Sequence, residues 1–195
     1  MKILNVIFLL SLFVQSCSGQ TKTPKREIFN SDFNWTITIP ENFEKLSSAE
    51  WKKLQNKGTK AIEKNNDIDI ENQSKNLFIF RSDQLNYIES NYQPFDTTIN
   101  GKYIDSFNAV NSMLFKTFMT QFPNIRIDTS TTIEIIDNLS FYTYKMKIHY
   151  QNNLKWNVLM FRRLFDNRDF TVNIMYTDEK KGELMLKAWR ASKFK

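Results

Sequence analysis

The sequence predicts an α+β fold in which an antiparallel sheet of about five to seven strands is flanked by two or three helices. One early segment alternates apolar and polar residues, as a strand does. Later segments combine helix caps with helical periodicity, and the last third of the chain alternates apolar and polar residues again. The chain has 195 residues, with four glycines, four prolines and 14% aromatic residues. This composition is typical of a single folded domain, because disordered chains are poor in aromatic residues.

The first predicted elements are a strand and a capped helix. Apolar and polar residues alternate from Phe33 to Ile39, which predicts a half-buried strand that Pro40 ends. Ser47 and Glu50 have the spacing of a capping box, so a helix is expected from about Ser48 to Lys64. The residues expected to face inward are Trp51, Leu54 and Ile62.

The middle of the chain is less regular. A polar loop precedes a buried strand at Leu77–Arg81, and Asp83–Asn100 is expected to form an irregular edge strand. Asp105 is the expected cap of a second helix that Pro123 ends. The apolar stripe of this helix would consist of Phe107, Val110, Leu114 and Phe118, with either Met113 or Phe122.

The last third predicts a meander of strands joined by short turns. Thr132–Ile136 and Ser140–Tyr150 flank the turn residues Asp137 and Asn138. Leu154–Phe165 is apolar on both faces in its middle, which is typical of a central strand covered by helices. One face of the strand Ser140–Tyr150 would carry Tyr142, Tyr144, Met146, Ile148 and Tyr150.

The meander is expected to end in a last strand and a closing helix. Residues alternate in polarity from Phe170 to Tyr176, and Asp178 can cap a terminal helix that ends near Ser192. The short turns between the strands predict antiparallel pairing. The apolar face of the closing helix would carry Leu184, Met185, Ala188 and Trp189.

Three segments resemble the PsbP-like fold. They are Trp35–Phe43, in which the strand ends in Pro-x-x-aromatic, the meander Ile133–Tyr176, and the closing helix with Ser192-x-Phe194. This fold is shared by an extrinsic photosystem II subunit, a Ran-binding yeast nuclear protein and a bacterial domain of unknown function found in envelope lipoproteins. The resemblance departs at an Asn-rich insertion around Asn65–Lys75 and at Tyr87–Phe95. It implies a binding or assembly role, and it implies no cofactor or active site.

A lipoprotein signal peptide is predicted at residues 1–16. Lys2 precedes the apolar run Ile3–Val14, which is too short for a spanning helix of about 20 apolar residues. The segment Val14–Cys17 resembles the lipobox of bacterial lipoproteins, in which the cysteine is acylated and the chain is cut before it. Residues 17–30 would then be the acylated cysteine with a flexible tether, and residues 31–195 a single PsbP-like domain. The alternatives are an ordinary secretory signal with a chance cysteine and an uncleaved amphipathic helix.

The anchor also predicts a location. Cys17 is the only cysteine of the chain, so no intramolecular disulfide can form, and acylation would remove an unpaired thiol. By similarity to lipoproteins of diderm bacteria, Ser18 after Cys17 favours the outer membrane, with the domain facing the periplasm. The membrane, reached through the lipid, is therefore one expected partner.

No catalytic, metal or cofactor site is predicted. His149 is the only histidine, and it lies on the polar face of its strand, where a solvated side chain is expected rather than a catalytic base. One histidine cannot complete a zinc site. Asp67, Asp69 and Glu71 could bind calcium, but they lack the glycine and the ligand spacing of an EF-hand loop, which favours a solvated loop. A hydrolase that uses acids with His149 is therefore the weakest of three hypotheses.

Two groups of residues are candidates for binding a partner. The terminal helix is basic, and it could contact anionic lipid or an acidic protein, although dipole matching and solubility would also explain its charge. An aromatic group could form an exposed patch, although core packing is the alternative. The basic candidates are Lys180, Lys181, Lys187 and Arg190, and the aromatic ones are Tyr87, Tyr92 and Phe95, with Tyr103 beside them. The formal net charge of +6 is interspersed with acids, which predicts no nucleic-acid partner.

The leading functional hypothesis is a membrane-anchored, non-catalytic module that binds or assembles with another envelope protein. The alternative is a carrier of a hydrophobic small molecule or lipid, held in a cavity between the sheet and its helices. Such a carrier would need a cavity of roughly 300 Å³ or more.

Overall fold

The computed structural model describes residues 26–67, 71–122 and 124–195. The strands in these ranges are β1 (Arg26–Asn30), β2 (Trp35–Ile39), β3 (Glu44–Lys45), β4 (Lys75–Arg81), β5 (Tyr87–Pro94), β6 (Arg126–Ile136), β7 (Leu139–His149), β8 (Lys155–Phe165), β9 (Arg168–Tyr176) and β10 (Lys193–Phe194). The helices are α1 (Ser48–Asn66), α2 (Thr97–Asn100), α3 (Tyr103–Gln121) and α4 (Glu179–Arg190). This arrangement confirms the predicted α+β class.

The strands form two antiparallel sheets. The large sheet has seven strands in the order β3-β4-β5-β9-β8-β7-β6, and the small sheet has three in the order β1-β2-β10. The predicted hairpin between β6 and β7 is confirmed, because Asp137 and Asn138 adopt φ angles of +48° and +64° and Ile136 pairs with Leu139. The meander β6-β7-β8-β9 is therefore continuous in the sheet, and β5 extends it on the far side of β9.

The front face of the large sheet is the face that packs against the small sheet and α4. Its core is aromatic, and Trp35 of β2 lies 5.1 Å from Phe170 of β9 and 6.0 Å from Trp189 of α4, between ring centroids. Trp35, Phe170 and Trp189 are at most 1% exposed. Burial of each large side chain contributes about 1.5–3 kcal/mol, so this core is a main source of the stability of the domain.

The back face of the large sheet is the face that packs against α1 and α3. Phe107 of α3 is fully buried against Met146 and Ile148 of β7, and Trp51 of α1 packs in a second cluster with Ile79 of β4. The face of β7 that was predicted to be apolar is thus confirmed as a buried face. Strand alternation directs the neighbouring residues of β7, including Phe141, to the front face.

The helix caps follow the predictions at two of three helices. Ser47 accepts from the amide of Glu50, whose side chain accepts in return from the Ser47 amide, so the capping box of α1 is confirmed. Asp178 caps α4, because it accepts from the amides of Lys180 and Lys181. The prediction for α3 was wrong: the helix begins at Tyr103, and Asp105 lies in its first turn.

Three segments differ from the predicted elements. Residues 26–30 were assigned to the tether, but they form β1, whose mostly exposed side chains have no apolar alternation. Residues 87–94 were expected at an edge, but β5 lies between β4 and β9. Strand β6 begins at Arg126 rather than at Thr132, because the polar run from Asp128 to Thr132 hides the period of two.

Two leucines that were predicted to face the core are on the surface. Leu54 of α1 is 47% exposed and Leu184 of α4 is 49% exposed. In α4 the buried positions are Met185 and Trp189, which lie four residues apart and cover the front face of the sheet. In α3, Phe107 is buried, whereas Phe122 follows the helix and is 36% exposed.

Candidate binding surface

The structure separates the three aromatic residues that were predicted to form a patch. Tyr87 lies on the back face beside Trp51, whereas Tyr92 lies on the front face against Phe33. The two tyrosines are five positions apart on one strand, so alternation turns them to opposite faces. Phe95 is only 4% exposed and packs at 5.3 Å from the ring of Tyr103. These contacts fit the core-packing alternative, and the three rings do not form a common surface.

The four basic candidates on α4 differ in how they are paired. Lys181 donates to Asp83 at 2.7 Å, and Arg190 lies 3.1 Å from Glu134 of β6. Lys180 and Lys187 are exposed at the surface. Pairing of two of the four cations within the domain reduces the charge that α4 can offer to an anionic partner.

Of the residues that were weighed for chemistry, Asp67, Glu71 and His149 lie within the described part of the chain, and none of them is buried. His149 contacts Asp128 at 2.8 Å through Nε2, at the start of the β6–β7 pair. No group of three or more metal-ligating side chains occurs in the residues that the structure describes. Asp69 and Cys17 lie outside those residues, as does the predicted signal peptide.

A buried ion pair lies on the back face below the start of α3. Two guanidinium nitrogens of Arg162 in β8 donate to the two carboxylate oxygens of Asp169 in β9. The Tyr103 hydroxyl also donates to Asp169, at 2.6 Å. Arg162 is 2% exposed and Asp169 is 1% exposed. Burial disfavours the charged guanidinium, but the neighbouring Asp169 outweighs it and raises the pKa of Arg162. The pair therefore fixes α3 to the sheet.

A second polar group on the back face surrounds Glu89 of β5. The Glu89 carboxylate is 4% exposed and accepts from the side-chain amides of Asn91 and Asn173. Burial raises the pKa of Glu89, which favours the protonated acid. The cross-strand row that contains Glu89 continues through Asn173, Met160 and Tyr144 to Thr131 of β6.

In the part of the chain that the structure describes, strand β6 is the long open edge of the large sheet. It has eleven residues with no proline, no glycine and an unbroken register against β7, and it is the last strand in the sheet order. The opposite edge, β3, has only two residues. Proteins usually protect edge strands by shortness, bulges, lysine or proline, because an open edge pairs readily with another strand. None of these four features protects β6, whose three charged residues, Arg126, Asp128 and Glu134, are its one protection of this kind.

Exposed apolar side chains continue this edge onto the back face. Ile133 and Ile135 are 60% and 62% exposed. Ile133 pairs across the sheet with Tyr142, and these two residues line a cleft of about 390 Å³ together with Tyr103 and Leu164. The isoleucines lie beside the backbone groups that an added strand would use, so the β6 edge combines hydrogen-bonding and apolar contacts.

A groove lies between α3 and β6 on the same face. It has a volume of about 440 Å³ and is lined from α3 by Asn108, Asn111, Ser112 and Phe115, and from the sheet by Thr129, Thr131 and Tyr144. Asn111 is 6% exposed, and neither its Oδ1 nor its Nδ2 atom has a hydrogen-bond partner among the described residues. Buried amides are nearly always hydrogen-bonded, so Asn111 leaves an unused donor and an unused acceptor beside this groove.

The carrier hypothesis concerned a cavity between the sheet and its helices. The clefts beside Tyr142 and Asn111, and one of about 590 Å³ beside Gln93 and Asp105, are open to solvent. The front-face core between the sheet and α4 contains closely packed rings such as Trp35 and Phe170. None of these observations favours a lipid cargo over a protein partner, and the carrier hypothesis stays a prediction.

Comparison with known proteins identifies the fold. Cyanobacterial PsbP (CyanoP) from Synechocystis sp. PCC 6803 is similar in solution structure, with a TM-score of 0.56 and 10% sequence identity. The similarity covers 93% of this chain and 99% of that chain. The fold is PsbP-like. The structure therefore confirms the resemblance that the opening strand, the meander and the closing helix indicated, and at this identity the likeness concerns the fold alone.

The other comparisons give no relative. No family model matches the sequence, and no curated protein matches it. Among the described residues of this PsbP-like chain, no helix is long and apolar enough to cross a membrane.

The β6 edge and the groove were not predicted from the sequence. The exposed isoleucines of β6 lie in the predicted strand 132–136. The strand order that leaves the outer edge of β6 without a neighbour among the described residues depends on contacts between distant segments. Asn111 interrupts the apolar stripe of α3 between Phe107 and Leu114, and an amide at a buried helical position was the one local signal of the groove.

Proposed function

We propose that this chain is a lipid-anchored, non-catalytic binding module of the bacterial cell envelope. It would bind another envelope protein by accepting a strand of that protein at the outer edge of β6. The observation that carries the proposal is the open eleven-residue edge of β6 with the exposed side chains of Ile133 and Ile135 beside it. The PsbP-like fold is compatible with such a role, since the fold by itself sets no chemistry.

Strand addition explains how an unmodified edge can give both affinity and selectivity. Every second residue of an edge strand directs its N–H and C=O groups outward, where an extended partner segment can bond them. Each such hydrogen bond contributes about 0.5–1.5 kcal/mol net, and apolar contacts at Ile133 and Ile135 add the burial of two exposed side chains. The exposed charged side chains of Arg126 and Asp128 would help to select the register.

The anchor supplies the location in this proposal. Acylation of Cys17 tethers the domain to the outer membrane on its periplasmic side, through a segment that ends where β1 begins at Arg26. Confinement to the membrane raises the effective concentration of a partner in the same membrane, so a modest affinity of the β6 edge suffices.

A site-specific crosslinking experiment tests the binding role. A photoreactive amino acid at Ser130 of β6 should give an adduct with one other envelope protein in intact cells. The matched control is the same group at Glu27, which lies on the edge strand of the small sheet. Ile133→Lys with Ile135→Lys should reduce the Ser130 adduct at unchanged thermal stability, because both side chains are exposed. Equal adducts from positions 130 and 27, or none from position 130, would contradict the proposal.

A second experiment tests the anchor independently. The Cys17→Ser variant should lose metabolic labelling with palmitate and should no longer fractionate with the outer membrane, because the hydroxyl cannot form the thioether. Unchanged labelling and fractionation would show that the domain is not held by this residue.

A further inference from the structure

Asn111 of α3 is a buried polar residue that lines the α3–β6 groove. It is 6% exposed and has both amide atoms without a hydrogen-bond partner among the described residues. A buried amide without partners lowers the stability of the folded domain. A ligand that presents an acceptor and a donor side by side would satisfy both atoms at once.

We propose that the α3–β6 groove is a specificity pocket for a carboxamide side chain, Asn or Gln, carried by the segment that adds to β6. This inference rests on the proposed strand addition and names the side chain that the added strand must present. A primary carboxamide has a carbonyl oxygen and an N–H on the same side, so it forms two parallel hydrogen bonds with the amide of Asn111.

The position of the groove fits an added strand. Thr129 and Thr131 line the groove and lie on β6 itself, on the back face. A strand paired to the outer edge of β6 would lie about 4.8 Å away, and its back-face side chains would be about 5 Å from those threonines. Such side chains would project between β6 and α3, where Asn111 and Phe115 are.

The lining of the groove selects against charged side chains. All of its residues are neutral. Transfer of an unpaired charge into such a site is costly, whereas a neutral amide recovers hydrogen bonds from Asn111 and the hydroxyls. The Phe115 ring, 38% exposed, can pack on the apolar stem of the incoming side chain. Among the neutral hydrogen-bonding side chains, Asn and Gln supply a donor and an acceptor in the same plane.

A peptide selection tests the pocket without knowledge of the natural partner. A random decapeptide library displayed on phage is selected against the full acylated chain in detergent micelles, with Ile133→Lys/Ile135→Lys protein for counter-selection. The enriched peptides should share an Asn or Gln at one fixed position among alternating β-forming residues. Replacement of that amide by Leu in a synthetic peptide should weaken binding about tenfold, the loss expected for two net hydrogen bonds.

Variants of the groove make the assignment specific. For Asn111→Leu protein the preference should reverse, so that the Leu peptide binds more tightly than the amide peptide. Thr131→Val, which changes the groove wall and keeps Asn111, is the matched control and should retain the amide preference. Circular dichroism checks that both variants are folded.

The outcomes separate the two proposals. Peptides that compete at β6 but show no amide preference would overturn the carboxamide pocket and leave the strand addition intact. Failure to select any β6-dependent peptide would overturn both. If maltotriose, a neutral sugar, shifts the NMR signals of the Asn111 side-chain amide while no peptide is selected, the groove is a sugar site and the carboxamide assignment is wrong.

Discussion

Gly182 of α4 is pressed against the ring of Tyr176, and replacing it should destabilise the domain. A Cβ atom at Gly182 would lie 2.5–2.6 Å from three ring carbons of Tyr176. The ring is 8% exposed and belongs to the front-face core, so it cannot withdraw into solvent. Overpacking of this kind costs up to about 3 kcal/mol, and the better helix propensity of alanine returns about 1 kcal/mol, which leaves a net loss of about 2 kcal/mol for Gly182→Ala.

Gly58 is the matched control for this prediction. It also lies inside a helix, α1, but a Cβ there would meet nothing within 4 Å. Gly58→Ala should therefore raise the free energy of unfolding by about 0.5–1 kcal/mol through helix propensity alone. The two variants should differ by about 3 kcal/mol in urea denaturation and by about 6–12 °C in midpoint temperature.

A double-mutant cycle checks the cause of the difference. In a Tyr176→Val background the ring is absent, so Gly182→Ala should no longer destabilise, although Tyr176→Val itself removes buried surface. If Gly182→Ala stabilises the wild-type chain as much as Gly58→Ala does, the close approach of α4 to Tyr176 is incorrect. If its penalty persists in the Tyr176→Val background, the contact with the ring is not its cause.

Three further perturbations test the buried polar groups and the first helix. Burial raises the pKa of Glu89 above its unfolded value, so the stability that this group contributes is present below the unfolded pKa near 4.3 and is lost as pH rises through the folded pKa. The stability of Glu89→Gln relative to wild type should therefore increase from pH 4 to pH 8 in urea titrations, and a flat difference would contradict the burial of Glu89. Asp169→Asn leaves the buried Arg162 charge without its counter-charge and should lower the free energy of unfolding by about 3–5 kcal/mol, whereas a loss below about 1 kcal/mol would mean that the pair is solvated. Ser47→Ala removes the cap of α1 and should cost about 1 kcal/mol, measured by thermal melting, with an unchanged melt counting against the cap.

Local signals in the sequence were sufficient for most of the elements. The alternation around Phe33–Ile39, the capping box at Ser47 and the Asp178 cap each depend on residues within one turn or strand, and each was found in the structure. The hairpin at Asp137 and Asn138 also follows from local chemistry, because these residue types tolerate the positive φ angles that the turn requires.

The features that the sequence concealed depend on long-range contacts. Strand β5 was assigned to an irregular edge because its apolar residues are scattered among turn-forming residues. In the structure Asn173, eighty-four positions from Glu89, donates the hydrogen bond that allows Glu89 to be buried in the middle of the sheet. Leu54 and Leu184 were assigned to the core from helical periodicity, but both are on the surface. Periodicity alone does not show how wide the buried face of a helix is. The candidate groove needs α3 and β6 to lie side by side, which no local pattern specifies.

The small sheet contains the first strand of the domain, so a pulling force on the residues before Arg26 would act on this sheet first. Strand β1 is joined to β2 by residues 31–34, and its pairs run from Arg26↔Ile39 to Asn30↔Trp35, so Arg26 is at the end of the hairpin that is remote from the turn. A pull transmitted through the preceding residues would open these pairs one after another, starting at Arg26, instead of shearing them together. Since β1 belongs to a different sheet from β6, the hairpin could peel away under tension while the seven-stranded sheet and any cargo on its rim stay in place.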